Sequence, residues 1–488
     1  MVLVFIAPLV WRTSTPEPSD GLEITWTFLK DVTRYTPLFA KPGTLILDLN
    51  NLIEPSQGLV GEYDVTLSAT FFAADNEHPP AKTADAIIPI SNLSPNMANY
   101  VSVPPDFSLN QTFPINTVQA FAELYASGNG NEEFWYFNAA DEFFGDLPPG
   151  FTFPDGPFRE VRLLVDGQLA GVAYPYAVFF TGAIVPPAWR PITSYGALDL
   201  PTYYIDLTPF VPILADGDPH NLTLDVVSGE SNHTINQNWD NFLRNALKKV
   251  RFRKRADPSG KQTTGKITKY EAGPFGTSSS SASIGNGDIN ITVEASRSLH
   301  IEAEVLSGSG QSTHVVWQQE LKYTNTQFYL NNFNVQNLIQ SSQGTSSSTH
   351  NGVTMVQDIF NFPVTIDLSG NATTTLCSFD HSYIRNLIPH PFMPGSTINE
   401  RQLADASIIE LPDGELAGGD SSNNNTFSYV DVKGNTFTRK VNASNNVILL
   451  DQQGGTLAAA SQEKHGSLLN QLGWVAKLPG GRNKIKIN

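Results

Sequence analysis

Two adjacent carboxylates beside a run of aromatic side chains form the densest chemical cluster in the sequence. They lie in the stretch from Ala126 to Asn138, which reads ASGNGNEEFWYFN. Its Gly/Asn portion lets the backbone approach a ligand closely, and the aromatic portion reads as a strand. Alternation along a strand puts Glu133, Trp135 and Phe137 on one face and Glu132, Phe134 and Tyr136 on the other. At most one of the two glutamates then enters a given cleft. A carboxyl group beside an indole is desolvated, which raises its pKa toward a value useful for general acid–base chemistry. Trp and Tyr at a cleft edge also stack on sugar rings. The bland alternative is a strand-end glutamate making surface ion pairs. Asp141 and Glu142 follow as loop carboxylates.

Other chemistries find little support. The nine histidines are scattered, with no HExxH, and the single cysteine rules out CxxC. Asp216-Gly217-Asp218 and Asn286-Gly287-Asp288 are ordinary turn sequences, so no metal site is expected. There is no Gly-rich phosphate loop and no G-x-S-x-G elbow. Cys377, in Thr375–Phe379, reads as a buried strand cysteine, not a nucleophile.

The elements that must position the cluster are strands. The chain has 488 residues, 40% hydrophobic, which excludes wholesale disorder and is long for a single core. Alternation marks Thr44–Leu49, Tyr63–Phe71, Arg159–Val165 and Leu222–Val227. Asp166-Gly167 closes the third run as a type I′ hairpin signal. The 33 Pro and 37 Gly favour short strands and turns over helices. The fold expected is all-β, with two jelly-roll-like β-sandwiches followed by a further β-rich C-terminal region. Residues 1–95 form the first sandwich, 96–230 the second with the acidic-aromatic site, and 287–488 a β-rich C-terminal domain. Residues 231–286 are expected to hold a helix from Trp239 to Val250, a basic run and a Ser-rich linker. A second helix is expected over Ser461–Leu472 near the end.

Charge and sequons bound the partners and the compartment. A net charge of −17 repels phosphate backbones, so nucleic acid is not an expected partner. No apolar run reaches the ~20 residues needed to span a bilayer. Met1–Trp11 lacks a basic n-region and a small-residue cleavage site, so it reads as a strand of the folded domain. N-x-[ST] acceptors occur at Asn92, Asn110, Asn221, Asn232, Asn290, Asn371, Asn424 and Asn442. Their density implies a secreted glycoprotein. Lys254-Arg255, ending the basic run from Lys248, reads as a processing site for a dibasic-cleaving protease, with a solvated loop or short helix as the alternative.

Several segments together resemble the eukaryotic peptide-N-glycosidase A family. They are Trp11–Pro18 (WRTSTPEP), Trp26–Tyr35 (WTFLKDVTRY), Thr70–Asp75 (TFFAAD), Glu132–Tyr136 (EEFWY) and Phe158–Gly171 (FREVRLLVDGQLAG). The likeness continues through Phe180–Pro186 (FTGAIVP), Trp189–Pro191 (WRP) and Tyr204–Pro209 (YIDLTP). It covers roughly the first half of the chain. The resemblance implies an amidase that hydrolyses the bond joining an N-glycan to asparagine, on N-glycopeptides or N-glycoproteins, without a cofactor. It leaves a glycosylamine and an aspartate.

A more distant likeness, to the bacterial peptide-N-glycosidase F group, implies that Glu133 is catalytic. Ser127-Gly128-Asn129-Gly130 followed by Glu132-Glu133-Phe134 echoes that group's second-domain segment. Trp135, Trp189, Arg190, Asp75 and Asp141 are the candidate substrate-binding residues. The resemblance further implies a leading segment before Met1, with a signal peptide and a catalytic Asp, and hence a secreted or secretory/vacuolar protein. If that Asp is essential, these 488 residues alone would be inactive. One alternative is a secreted glycan- or glycopeptide-binding protein that lacks activity. Another is a glycosidase with two carboxylates, for which no spacing speaks.

Overall fold

The structure is a computed structural model. It describes the chain apart from residues 1, 6–8, 17–25, 41, 44, 50–52, 58–59, 77–79, 90–102, 104–106, 129, 150–151, 231–246, 274, 286, 372, 390–394, 412–415 and 459–488. The protein is all-β, built from antiparallel sheets with a few short helical turns.

The N-terminal region contributes one three-stranded sheet, ordered β2-β1-β3, from β1 (Val2–Phe5), β2 (Leu9–Arg12) and β3 (Leu45–Asp48). Met1–Trp11 is therefore two antiparallel strands and not one. The alternation over Tyr63–Phe71 does not become a strand. Alternating side chains make a strand only where one face finds a core, and Phe71 and Phe72 here are exposed. Among the described residues, a second sheet of a first sandwich is not formed within 1–95. The remaining strand there, β4 (Ala86–Pro89), joins the next domain.

That next domain is a two-sheet sandwich. Its strands are β5 (Phe107–Thr112), β6 (Thr117–Ser127), β7 (Arg159–Val165), β8 (Gln168–Ala173), β9 (Thr202–Asp206), β10 (Pro219–Ser228) and β11 (Leu247–Ala256). One sheet runs β5-β10-β7-β8 and the other β4-β11-β6-β9. Both contribute to one core that includes Phe121, Leu124, Leu163, Ile205 and Leu224. The Asp166-Gly167 turn joins β7 to β8 with φ of 47° and 79°, the paired positive values of a type I′ turn.

The domain boundary differs from the one expected. The basic run lies in β11, hydrogen-bonded to β4 on one side and β6 on the other, so the sandwich extends past residue 230 to Ala256. Val250 and Phe252 at alternate positions carry the β pattern that the charges obscured. The Ser-rich stretch is likewise a strand and not a linker. β12 (Thr264–Ala272) and β13 (Gly276–Gly285) both pair with β14 (Asp288–Leu306). Of the helix expected over Trp239–Val250, the part from Leu247 is strand and the rest lies outside the described residues, as does Ser461–Leu472.

From β14 the chain meanders through β15 (Ser312–Leu330), β16 (Val335–His350), β17 (Val353–Asn371), β18 (Thr374–Pro389), β19 (Ser396–Glu410), β20 (Leu416–Asp431), β21 (Thr436–Ser444) and β22 (Val447–Gly454). With β12 and β13 they form one 11-stranded sheet. Strands of 19 residues span about 60 Å.

Strict alternation buries one face of this sheet against the N-terminal half. That face carries polar groups that bond the facing backbone. The Gln319 amide accepts from Val172 N and donates to Val172 O, both at 2.9 Å, like a neighbouring strand on the β8 edge. Trp317 Nε1 donates to Ala170 O and Asn423 Nδ2 to Ala188 O. Arg297 pairs with Glu160, and Arg385 bridges Asp358 to Thr202 O.

Candidate active site

The acidic-aromatic stretch is two 3₁₀ turns and not a strand. β6 ends at Ser127, and the chain then tightens through Gly130–Glu132 and Trp135–Phe137. Glu133 N donates to Gly130 O at 3.0 Å, and Asn138 N to Trp135 O at 3.0 Å. Gly128 is obligatory here, because a Cβ on it would lie 1.8 Å from Glu132 O. Gly130 takes a φ of 59°. The Gly/Asn stretch thus lets backbone approach backbone. Alternation does not sort the two glutamates; turn geometry does.

Glu132 points into the protein. Its carboxylate is held bidentately by Arg159, whose Nε donates to Oε2 at 2.5 Å and whose Nη2 donates to Oε1. Arg159 Nη1 donates to the carbonyls of Asp155, Gly156 and Phe158. Every arm of this buried ion pair ends on a loop, which ties the turn to the start of β7.

Glu133 is half-buried and faces a different cation. Its pKa is raised by burial, against the lowering effect of the Arg12 guanidinium. Burial in turn pulls Arg12 down to about 10, with Glu133 opposing. Arg12 closes β2, donates to Ser127 Oγ, and lies over the Phe180 ring at 5.3 Å. Two residues on, Ser14 Oγ and Thr181 Oγ1 share a hydrogen bond of 2.6 Å, and Ser14 N donates to Ala197 O. Three segments far apart in sequence, Arg12–Ser14, Glu133 and Phe180–Thr181, therefore converge. The arrangement suits proton exchange with a polar substrate: an acid of raised pKa, a guanidinium and two hydroxyls.

The other candidate residues are placed differently. Trp135 is buried, its ring 5.7 Å from Tyr136 and 6.0 Å from Tyr323. Trp189 is buried as well, bonded through Nε1 to Ala183 O and packed 4.9 Å from Phe379. Both indoles serve the core against the large sheet and offer no open face to a sugar. Arg190 is half-buried, with Nη1 4.0 Å from the Cβ position at Gly418 of β20. Asp141 starts a short helix, and its Oδ1 accepts from Asp155 N at 2.8 Å. Asp75 is exposed in an irregular segment.

Arg12, Ser14 and Thr181 escaped the reading of sequence as chemistry. The signal for them was present, since they sit in the WRTST and FTG segments that carry the family likeness. Glu230 was missed too; burial and the neighbouring Asp141 push it up to about 7.

Among the described residues, no group of three or more His, Cys, Asp or Glu is arranged to hold a metal. Among them, too, no helix is long and apolar enough to cross a membrane. Cys377 is buried, as expected for a strand cysteine. Asn110, Asn371 and Asn424 are exposed, and Asn221, Asn290 and Asn442 partly so; Asn92 and Asn232 lie outside the described residues. Lys254 and Arg255 lie in the doubly paired β11. A protease needs an extended free segment, so the native fold withholds this one.

Comparison with known proteins places the sequence. Residues 2–272 match the family described as peptide N-acetyl-beta-D-glucosaminyl asparaginase amidase A. Residues 290–364 match that family's C-terminal domain. A relative from Prunus dulcis, peptide-N4-(N-acetyl-beta-glucosaminyl)asparagine amidase A, is 33% identical over 282 residues. The match covers 54% of this chain and 47% of that relative, so the chain spans about half the relative's length. No solved structure matches.

Proposed function

We propose that this chain, which belongs to the peptide N-acetyl-beta-D-glucosaminyl asparaginase amidase A family, hydrolyses the amide joining an N-glycan to an asparagine side chain. The observation that carries the reading is the pairing of Glu133, of raised pKa, with Arg12, both half-buried. Water attacks the side-chain carbonyl while Glu133 takes its proton. Arg12 stabilises the negative charge that develops on the carbonyl oxygen. The proton then passes to the departing nitrogen as the C–N bond breaks. One water is consumed, and the products are an aspartate and a glycosylamine, which decays in water to free glycan and ammonia. Ser14 and Thr181 bond the Arg12 segment to the Phe180–Thr181 segment. Arg12 itself reaches Ser127 at the start of the Glu133 loop, and the two hydroxyls are offered to the substrate.

The substrate class is N-glycopeptides, in line with the name of the Prunus dulcis relative. A secretory or vacuolar location fits this substrate and the density of sequons. The test is incubation of a defined glycopeptide with the protein in oxygen-labelled water. The expected result is free glycan together with one labelled oxygen in the new aspartate. Binding without release overturns the amidase reading in favour of a glycan-binding protein. Cleavage between sugars overturns it in favour of a glycosidase.

A further inference from the structure

We infer that Asn325 and Gln327 of β15 are positioning residues that set Glu133 from the C-terminal domain. The inference rests on the reading of Glu133 as the reacting acid. Both amides stand on the buried face of the large sheet and are 1% exposed. Gln327 is flanked in register by Ile291 and Leu338, and Asn325 by Val293 and Gln340. Amides buried this deeply need hydrogen-bond partners, and the Glu133 loop supplies them. Asn325 Nδ2 donates to Tyr136 O at 3.0 Å. Gln327 Nε2 donates to Tyr136 O at 3.3 Å and to Asn138 O at 3.1 Å.

These carbonyls belong to the turn directly after Glu133. A 3₁₀ turn satisfies its own first acceptor and leaves the following ones open. Here Trp135 O takes Asn138 N, while Tyr136 O and Asn138 O take the β15 amides.

The amides are themselves oriented. Gln327 Oε1 accepts from Tyr329 Oη, and Gln327 Nε2 also donates to Asn325 Oδ1 at 3.2 Å. Asn325 Nδ2 donates to Tyr323 Oη at 3.2 Å, and Tyr323 Oη donates to Pro157 O. Tyr323, Asn325, Gln327 and Tyr329 lie at every second position of one strand, so they share one face. One rigid edge thus holds both ends of the Glu132–Arg159 tie: the turn after Glu133 and the approach to β7.

Glu133 depends on that placement for both its partial burial and its distance from Arg12. Losing the β15 contacts lets the loop move into water, which lowers the acid's raised pKa and misaligns it. Misplacement of a reacting group by about 1 Å costs on the order of 100-fold in rate.

The test uses the full chain with Gln327→Met, which removes the amide at similar length. Gln327→Asn, which keeps the amide but draws it back by one methylene, is the milder variant should the first not fold. Amide hydrogen exchange is read at Glu133, Phe137 and Asn138, beside kcat, KM and the pH profile of glycopeptide cleavage. The expected result is faster exchange confined to residues 130–138 and kcat lowered by about 10- to 100-fold with KM nearly unchanged. The acid limb of the profile moves toward the ordinary carboxylate range, and Gln327→Asn falls between wild type and Gln327→Met. Unchanged exchange, or an unmoved acid limb in a folded active variant, overturns the inference. A wild-type chain that releases no glycan overturns the proposed activity instead, because the exchange result stands without turnover.

Discussion

The Arg159 guanidinium grips the Glu132 carboxylate through Nε and Nη2 inside the protein, and this contact separates the roles of two neighbouring glutamates. Glu132 is spent on holding the loop. Glu133 is left half-buried, under the field of Arg12.

Glu133→Gln and Glu132→Gln should therefore fail in different ways. An amide at 133 keeps shape and polarity but exchanges no proton, so turnover should fall by ~10²–10⁴ with the melting temperature unchanged. An amide at 132 leaves Arg159 buried without its counter-charge, which costs about 3–5 kcal/mol. Thermal melts and single-turnover glycan release on both variants separate the effects. Equal stability of the two variants would remove the structural role given to Glu132.

Arg12→Met should shift the pH profile in a defined direction. The Arg12 charge lowers the pKa of Glu133 while burial raises it. Without the charge, burial acts alone and the pKa rises further. A base works ionised, so the acid limb of kcat/KM should move to higher pH. An acid limb that stays put or moves down contradicts the pairing.

Glu400 should make the fold less stable in alkali. It is 1% exposed on β19, bonded through Oε1 to Asn425 Nδ2 at 2.5 Å, and burial pushes it up to about 8 from an ordinary 4.5. The folded state holds this proton more tightly than the unfolded chain does. Its contribution is full below pH 4.5, is lost as pH rises to about 8, and is flat beyond. Glu400→Gln should remove that slope. Denaturant melts between pH 5 and 9 check it; parallel slopes for wild type and variant would refute it.

Gly128→Ala should damage the loop without touching a reacting group. The added Cβ would fall 1.8 Å from Glu132 O, which is backbone and cannot swing away. Overpacking of this kind costs about 1–3 kcal/mol. Turnover should fall along with stability, and a variant as stable as wild type would show that the turn has room the structure does not give it.

The sequence by itself determined the β architecture, the family likeness and the cluster around Glu133. Alternation found Arg159–Val165 and Leu222–Val227 because each has a core beneath it, and Asp166-Gly167 was legible because a type I′ turn demands two positive φ values. Where sequence reasoning went astray, the deciding partner lay far along the chain. The alternation over Tyr63–Phe71 has no core to bury it. The charged β11 is a strand because β4 and β6 bond it on both sides. Trp135 and Trp189 look like sugar platforms in sequence and become core because the large sheet covers them. Only the tertiary structure decided which glutamate is taken up by an ion pair and which stays half-buried near Arg12. Local periodicity places side chains about one element, whereas burial and field depend on Arg12, Arg159, Asn325 and Gln327, which reach the loop from three other strands.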